Sequence, residues 1–481
     1  MFPVRLPSIW KRFTSTIISR TPPPKAHHHA AIPDSVFPAG YVVTGLHCGI
    51  KKNPEQLDLA LIQSISPQPA AAAACFTRNA FKAAPVVVSE AVLRRGDGRV
   101  RAIVINSGCA NAVTGKQGTE DAWAMVRATD ALDEEHAGDG ATVVMSTGVI
   151  GQTLPIAKVL AGIQSQALST PTRNLGSTFE AWERAARAFM TTDTFPKLRA
   201  RNFIVGGREY HMAGMDKGAG MIHPDMGPPR VASTPAGSPS PSSPSSSSPA
   251  GQLHATLLGC ILTDAPVSPR SLQSALTYAV DRSFNSISVD GDMSTNDTII
   301  ALANGAAAAD AHEIDEEHNR GEYEAFRDEL TAFAAELAQL VVRDGEGATK
   351  FVTVSVEGAA TYADAHNVAS RISTSALVKT ALYGEDANWG RILAATGSVP
   401  LSVPLDPARV TVSFVPADGS APLPLLVNGE PENVDEVRAK EIVSAEDLQI
   451  KVELGLGFEA AKYWTCDLSY EYVRINGDYR S

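Results

Sequence analysis

A threonine hydroxyl becomes a strong nucleophile only when a base lies beside it. A threonine at a chain terminus supplies both, because its own α-amino group accepts the proton. That amine has a reference pKa of about 7.7–8.0, so a sizeable neutral fraction exists near neutral pH. The run His254 to Asp264, HATLLGCILTD, offers such a residue. Small Ala255 precedes Thr256, which opens an apolar strand pattern, and a Ser/Pro-rich stretch lies just upstream. The Thr256 hydroxyl can attack the Ala255 carbonyl and shift the chain from amide to ester. Water then opens the ester and leaves Thr256 as a new N-terminus, so cutting creates the catalytic group. On pattern alone, an ordinary strand threonine accounts for Ala255-Thr256 better.

Other chemistries find less support. Cys48, Cys75, Cys109, Cys260 and Cys466 contain no C-x-x-C pair, which argues against a zinc or thioredoxin-like centre and for buried free thiols. Asp290 to Thr298, DGDMSTNDT, lacks the ligand spacing of a calcium loop. Gly345 to Lys350 has the wrong glycine spacing for a phosphate loop and precedes a strand. His27, His28 and His29 are read as incidental. No metal and no resident cofactor are expected.

The elements that must position Thr256 alternate between strand and helix patterns, which predicts a layered α/β architecture. Strands are expected at Arg99 to Ile105, Ala141 to Met145, Ala255 to Leu262, Lys350 to Val356 and Trp464 to Ile475. The first is expected to end at Asn106-Ser107-Gly108 and the second in a turn at Ser146-Thr147-Gly148. Helices are expected at Thr119 to Leu132, Pro155 to Leu168, Thr178 to Met190, Ser271 to Arg282 and from Ala376. The clearest follows the 3-4 rhythm of Tyr323, Phe326, Leu330, Phe333, Leu337, Leu340 and Val341. Gly227 to Gly251, dominated by Ser and Pro, has almost nothing to bury and is expected to be a flexible excursion.

The 481 residues suffice for one large or two ordinary domains. A net charge of −12 repels phosphate backbones, so nucleic acid is not an expected partner. No apolar run approaches the length of a membrane span, so no membrane partner is expected either. Arg5, Lys11, Arg12, Arg20 and Lys25 all precede the first acid, Asp34, and alternate with apolar residues at roughly helical spacing. That is the pattern of a mitochondrial import segment, placed at 1–33.

Several pieces occur in a fixed order: INSGCANA (from Ile105), STGVIG (from Ser146), MTTDTFPK (from Met190), KGAGMIHP (from Lys217), ATLLGCILTDA (from Ala255), DGDMSTNDT, GEGATKFV (from Gly345), LVKTALYGEDANWGRI (from Leu377) and YVRINGDYRS (from Tyr472). Together, from Gly40 to Ser481, they resemble the ornithine acetyltransferase family, also called the bifunctional glutamate N-acetyltransferase family. The resemblance implies a layered α/β sandwich with sheets between helices, DmpA-like in fold. It implies cleavage between Ala255 and Thr256 into an alpha fragment, 34–255, carrying the 227–251 insertion, and a beta fragment, 256–481. Thr256 matches the nucleophile, and Thr147 and Gly148 the pair that stabilises the oxyanion; a strand-end turn could aim a hydroxyl and an N–H at one point. Thr192, Lys217, Glu346, Asn476 and Ser481 match substrate-binding positions, with Thr191 and Thr194 as alternatives to Thr192. A lysine suits a substrate carboxylate and a glutamate an ammonium. The implied activity moves acetyl from N2-acetylornithine to glutamate through an acetyl-Thr256 ester, in the mitochondrial matrix. Acetyl-CoA is a possible co-substrate, and the fragments are expected to pair as a heterotetramer. The sequence departs from the family in one respect: the Ser/Pro insertion parts Lys217 from Thr256, and His254 stands where the family tends to have Met. Two other readings stay open, an N-terminal-nucleophile hydrolase and an uncleaved amino-acid-binding regulator.

Overall fold

The computed structural model describes residues 20–133, 140–229, 256–308 and 312–477. Ala255, Ser481, residues 1–19 and nearly all of the Ser/Pro insertion lie outside the described residues. Among the described residues three sheets, with helices between and around them, form a layered α/β fold.

The first sheet has four strands in the order Tyr41–Leu46, Leu59–Ser64, Ala102–Cys109, Thr142–Val149. Its last pair is parallel, with Ser107 beside Thr147 and Gly108 beside Gly148. The second sheet runs Arg99–Val100, Ala70–Thr77, Thr298–Ala303, Leu258–Thr263, Arg208–Lys217, Lys197–Val205, and Met226–Gly227 adds to Ala70–Thr77. In its centre, Leu258 lies opposite Lys217 on one side and beside Thr298 on the other. The third sheet is built around Phe351–Ala359, flanked by Glu459–Cys466 and Asp447–Glu453.

Strand alternation assigns the side chains of the second sheet to two cores. Leu258, Cys260 and Leu262 join a core shared with the first sheet and the helices Ala84–Arg95, Gly115–Asp130 and Phe179–Phe189. Ile261, Ile299 and Ala301 face a second core with the helices Pro269–Asp281 and Arg320–Arg343. The stripe from Tyr323 to Val341 lies in that second core, as its rhythm requires. Burying each large apolar side chain there contributes roughly 1.5–3 kcal/mol.

Several expectations need correction. Thr147 and Gly148 lie inside the strand Thr142–Val149 and not in a turn, because parallel pairing to Ala102–Cys109 continues past them with a local irregularity. Likewise Asn106-Ser107-Gly108 continues its strand. The expected strand from Arg99 divides at Arg101, and its pieces join different sheets. At the break the Arg101 guanidinium binds the carbonyls of Ser66 and Pro67 at 3.2 and 2.9 Å. The expected strand Trp464 to Ile475 ends at Cys466, and Tyr470–Gly477 is a helix. Its termination coincides with Asp467, whose carboxylate accepts the backbone N–H groups of Thr349 and Lys350 at 2.8 and 2.9 Å.

All five cysteines are unpaired; four are buried and Cys48 is partly so. Burial pushes the Cys75 thiol up to about 12 and that of Cys109 to about 11, as expected of inert packing thiols. Among the described residues no helix is long and apolar enough to cross a membrane, and no cluster of His, Cys, Asp and Glu could hold a metal.

Candidate active site

Thr256 lies two residues before the strand Leu258–Thr263, and its backbone enters the sheet under close control. The N–H of Leu257 donates to Asp297 Oδ1 at 3.0 Å, and its carbonyl accepts from Thr298 N at 3.1 Å. Asp297 also accepts from Ser294 N at 3.1 Å. Burial raises the Asp297 carboxyl to about 7 despite these two N–H donors. Thr256 itself is fully buried.

Thr147 comes from the other sheet. Strand ends of the first and second sheets converge, and the Thr147 and Thr256 hydroxyls are hydrogen-bonded. Lys217, at the end of its own strand, donates to Thr147 Oγ1 at 3.2 Å and to the Thr256 carbonyl at 2.6 Å. This lysine is fully buried, and burial lowers its pKa to about 8 against the opposing pull of Asp193. Gly148 follows Thr147 with φ +128°, and a Cβ there would lie 2.3 Å from the Gly108 carbonyl carbon. Only glycine fits, because both the backbone angle and the neighbouring strand exclude a side chain. Asn296 ties the Asp290–Thr298 loop to this region, donating to the carbonyls of Ala110 and Ser146 at 2.7 and 2.8 Å.

Glu346 lies beyond Lys217. Burial raises its carboxyl, while the Asn476 amide and the Thr192 hydroxyl hold the rise back. Asn476, on the C-terminal helix, donates to Glu346 Oε2 at 2.8 Å. The Thr192 hydroxyl is buried against Glu346 without forming a hydrogen bond of good geometry. Thr194 instead gives its backbone N–H to Asp344 Oδ2 at 2.9 Å and its hydroxyl to the same carboxylate, and Thr191 gives its N–H to Asp193 at 2.8 Å. Of the three alternatives, Thr192 is therefore the one beside Glu346.

Behind these groups is a buried charge network that sequence reasoning missed. Lys197 Nζ, fully buried, bridges Asp193 at 2.6 Å and Asp344 at 2.7 Å. Asp193 also accepts Gly218 N at 2.8 Å. One lysine thus couples the Thr192 loop, the backbone after Lys217 and the loop before Glu346. Burial opposes both charges, but mutual attraction holds Asp193 well below the carboxylate range and Lys197 above the usual amine value. Asp290 was also missed, within a motif read as a polar loop. It accepts the N–H groups of Met221 and Ile222 at 2.6 and 2.9 Å and the Tyr472 hydroxyl at 3.2 Å. The signal available was Asp193 inside MTTDTFPK and Asp290 inside DGDMSTNDT, but nothing in either motif shows what these carboxylates hold.

The structure therefore brings Thr256, Thr147, Gly148 and Lys217 together, with Thr192, Glu346 and Asn476 grouped beside them. Ala255 and Ser481 lie outside the described residues. A buried hydroxyl pair with an adjacent ammonium and a strained glycine N–H can support acyl transfer through an oxyanion.

Comparison with known proteins adds an independent line. Residues 42–481 match the family model described as ArgJ family. The chain is 75% identical over 478 residues to the arginine biosynthesis bifunctional protein ArgJ, mitochondrial, of Postia placenta, covering 99% of each. It is 66% identical over 486 residues to the like-named protein of Coprinopsis cinerea, again covering 99% of each. A crystal structure of arginine biosynthesis bifunctional protein argJ from Bacillus halodurans is 38% identical with a TM-score of 0.40, over 45% of this chain and 96% of that one.

Proposed function

The chain belongs to the ArgJ family, and from that premise we propose that it transfers acetyl from N2-acetylornithine to glutamate through an ester on Thr256. It is a mitochondrial enzyme of arginine biosynthesis acting on small amino acids, in keeping with its relatives' names and its basic, acid-poor first thirty residues. The matrix is the proposed compartment.

Activation comes first. Thr256 Oγ1 attacks the Ala255 carbonyl carbon, the amide C–N bond breaks, and an ester links the two parts. Water hydrolyses it, leaving a carboxylate on Ala255 and a free amine on Thr256. The two fragments then hold together through shared cores. Ladder partners such as Leu258 and Lys217 come from opposite sides of the cut, so neither fragment can complete the second sheet alone. Two such heterodimers form the proposed heterotetramer.

In the transfer, the Thr256 amine takes the hydroxyl proton as Oγ1 attacks the acetyl carbonyl of the donor. The Thr147 hydroxyl and Gly148 N–H stabilise the oxyanion. The donor's C–N bond breaks, and ornithine leaves with the proton held by the amine. Glutamate then enters, its amine attacks the ester, and N-acetylglutamate departs as the Thr256 hydroxyl regains a proton. Lys217, Glu346, Thr192 and Asn476, with Ser481 added from the chain's end, hold the shared α-amino-acid skeleton and its second polar arm. No cofactor is required; acetyl-CoA as an alternative donor belongs to the same proposal.

The observation that carries this reading is the hydrogen-bonded Thr147–Thr256 pair with Lys217 on both residues. Two-substrate kinetics test it. Parallel double-reciprocal lines with acetyl recovered on glutamate are expected. Intersecting lines would oppose the covalent route, and release of free acetate at the full rate would favour a hydrolase.

A further inference from the structure

Residues 20–37 contain the end of the segment that resembles an import address, yet they lie along the folded body. Arg20 pairs with Glu385, and its backbone N–H donates to the Tyr383 hydroxyl at 3.2 Å. The His28 carbonyl accepts from Arg199 at 2.9 Å, and its ring packs on Phe195 with centroids 5.7 Å apart. His29 meets Glu183 at 3.0 Å, Asp34 accepts Phe179 N at 2.7 Å, and Phe37 stacks on Trp182 at 4.9 Å. Between the first and second of these anchors sits Lys25, whose side chain is buried and whose ammonium donates to the Gly345 carbonyl at 3.2 Å.

That carbonyl belongs to the peptide unit joining Gly345 to Glu346. The N–H of the same unit donates to the Ala219 carbonyl at 2.8 Å. The plane from which the Glu346 side chain departs is thus held at both edges, by Lys25 on one and by the backbone just after Lys217 on the other. Asp344, Cys466, Lys197 and Asp467 act most strongly on the Lys25 ammonium among the charged or titratable groups described. Moreover, Lys25 and Arg20 precede the proposed cut while Gly345, Tyr383 and Glu385 follow it, so these contacts join the two fragments.

We propose that residues 20–37 remain on the mature enzyme as a strap across both fragments, and that Lys25 is a positioning residue that fixes the peptide aiming Glu346 at substrate. The inference rests on the reading of Glu346 as a substrate-binding carboxylate. It requires import processing to stop short of Arg20.

Two measurements test it. The first is N-terminal sequencing of the enzyme purified from mitochondria. An alpha fragment beginning at or before Arg20 supports the strap, and one beginning after Arg20 overturns it. The second compares purified, fully cleaved Lys25→Met and Lys25→Arg with wild type. Loss of one charge-assisted hydrogen bond should raise KM for N-acetylornithine about tenfold with kcat nearly unchanged, and arginine should restore much of it. An unchanged KM in Lys25→Met, or a lower melting temperature as its sole effect, overturns the positioning role. Glu346→Gln, measured in parallel, separates the two readings. An unchanged KM there rejects the role of Glu346 itself, whereas a raised KM there with normal Lys25→Met kinetics rejects only the strap's role.

Discussion

The hydroxyls of Thr147 and Thr256 are hydrogen-bonded to each other although one lies in the last part of a strand of the first sheet and the other precedes a strand of the second. The pair exists only because both sheets end at one place. Thr147→Ala keeps the strand and removes the hydroxyl. Loss of one oxyanion donor is expected to lower kcat about a hundredfold to a thousandfold. Thr147→Ser should recover most of the rate, and steady-state acetyl transfer reads both.

Gly148→Ala should be far more damaging than its size suggests. The new Cβ would sit 2.3 Å from the Gly108 carbonyl carbon at φ +128°. The strands cannot separate without breaking the parallel ladder, so a loss of about 3 kcal/mol is expected from overpacking. A denaturant titration checks the stability, and a denaturing gel should show slowed cleavage at Thr256.

Lys217 predicts a pH dependence. With its pKa lowered to about 8, the ammonium that contacts Thr147 and Thr256 loses its proton as pH rises past that value. Activity should therefore fall on the alkaline side, and Lys217→Met should be slow and lack that limb. The stability sign is opposite. From about 8 to the reference lysine value of about 10.4 the unfolded chain holds more protons, so folding gains from rising pH across that window. Melting curves of wild type at pH 7 and pH 10, against those of Lys217→Met, measure the difference.

Asp216 carries a buried carboxyl with no hydrogen-bond partner among the described residues, and burial raises its pKa well above the usual value. Above the ordinary carboxylate pKa the folded chain holds a proton that the unfolded chain releases, so stability falls as pH rises through that range. Asp216→Asn removes the titration. It should raise the melting temperature by a few degrees at pH 8 and leave it nearly unchanged at pH 4. Equal shifts at both values would contradict the buried-proton account.

The long helix was legible because Tyr323 through Val341 keeps its rhythm for several turns, and the strand after Thr256 was legible as an uninterrupted apolar run. Ala70–Thr77 was not. Five alanines favour a helix by propensity, but here they form a strand buried on both faces, where small side chains allow close packing between two cores. The hairpin Lys197–Val205 to Arg208–Lys217 carried a readable sign, Gly206-Gly207, both at positive φ in its two-residue turn. The C-terminal helix was mistaken for strand because Trp464 and Cys466 alternate correctly just before the change. In the site, Thr256 and Thr147 came from motifs, whereas Lys197 with Asp193 and Asp344 did not. The lysine and Asp344 are 147 positions apart in the chain, and only the folded structure shows one ammonium serving both acids.

The central claim is that Thr256, freed at its N-terminus, carries the acetyl group. The direct test is intact-mass and peptide analysis of enzyme mixed with N-acetylornithine and no glutamate. The account predicts two fragments, one beginning at Thr256 and bearing a single acetyl on that residue, which disappears when glutamate is added. An uncut chain, or a Thr256 that stays unmodified while acetyl transfer proceeds at the normal rate, would contradict it.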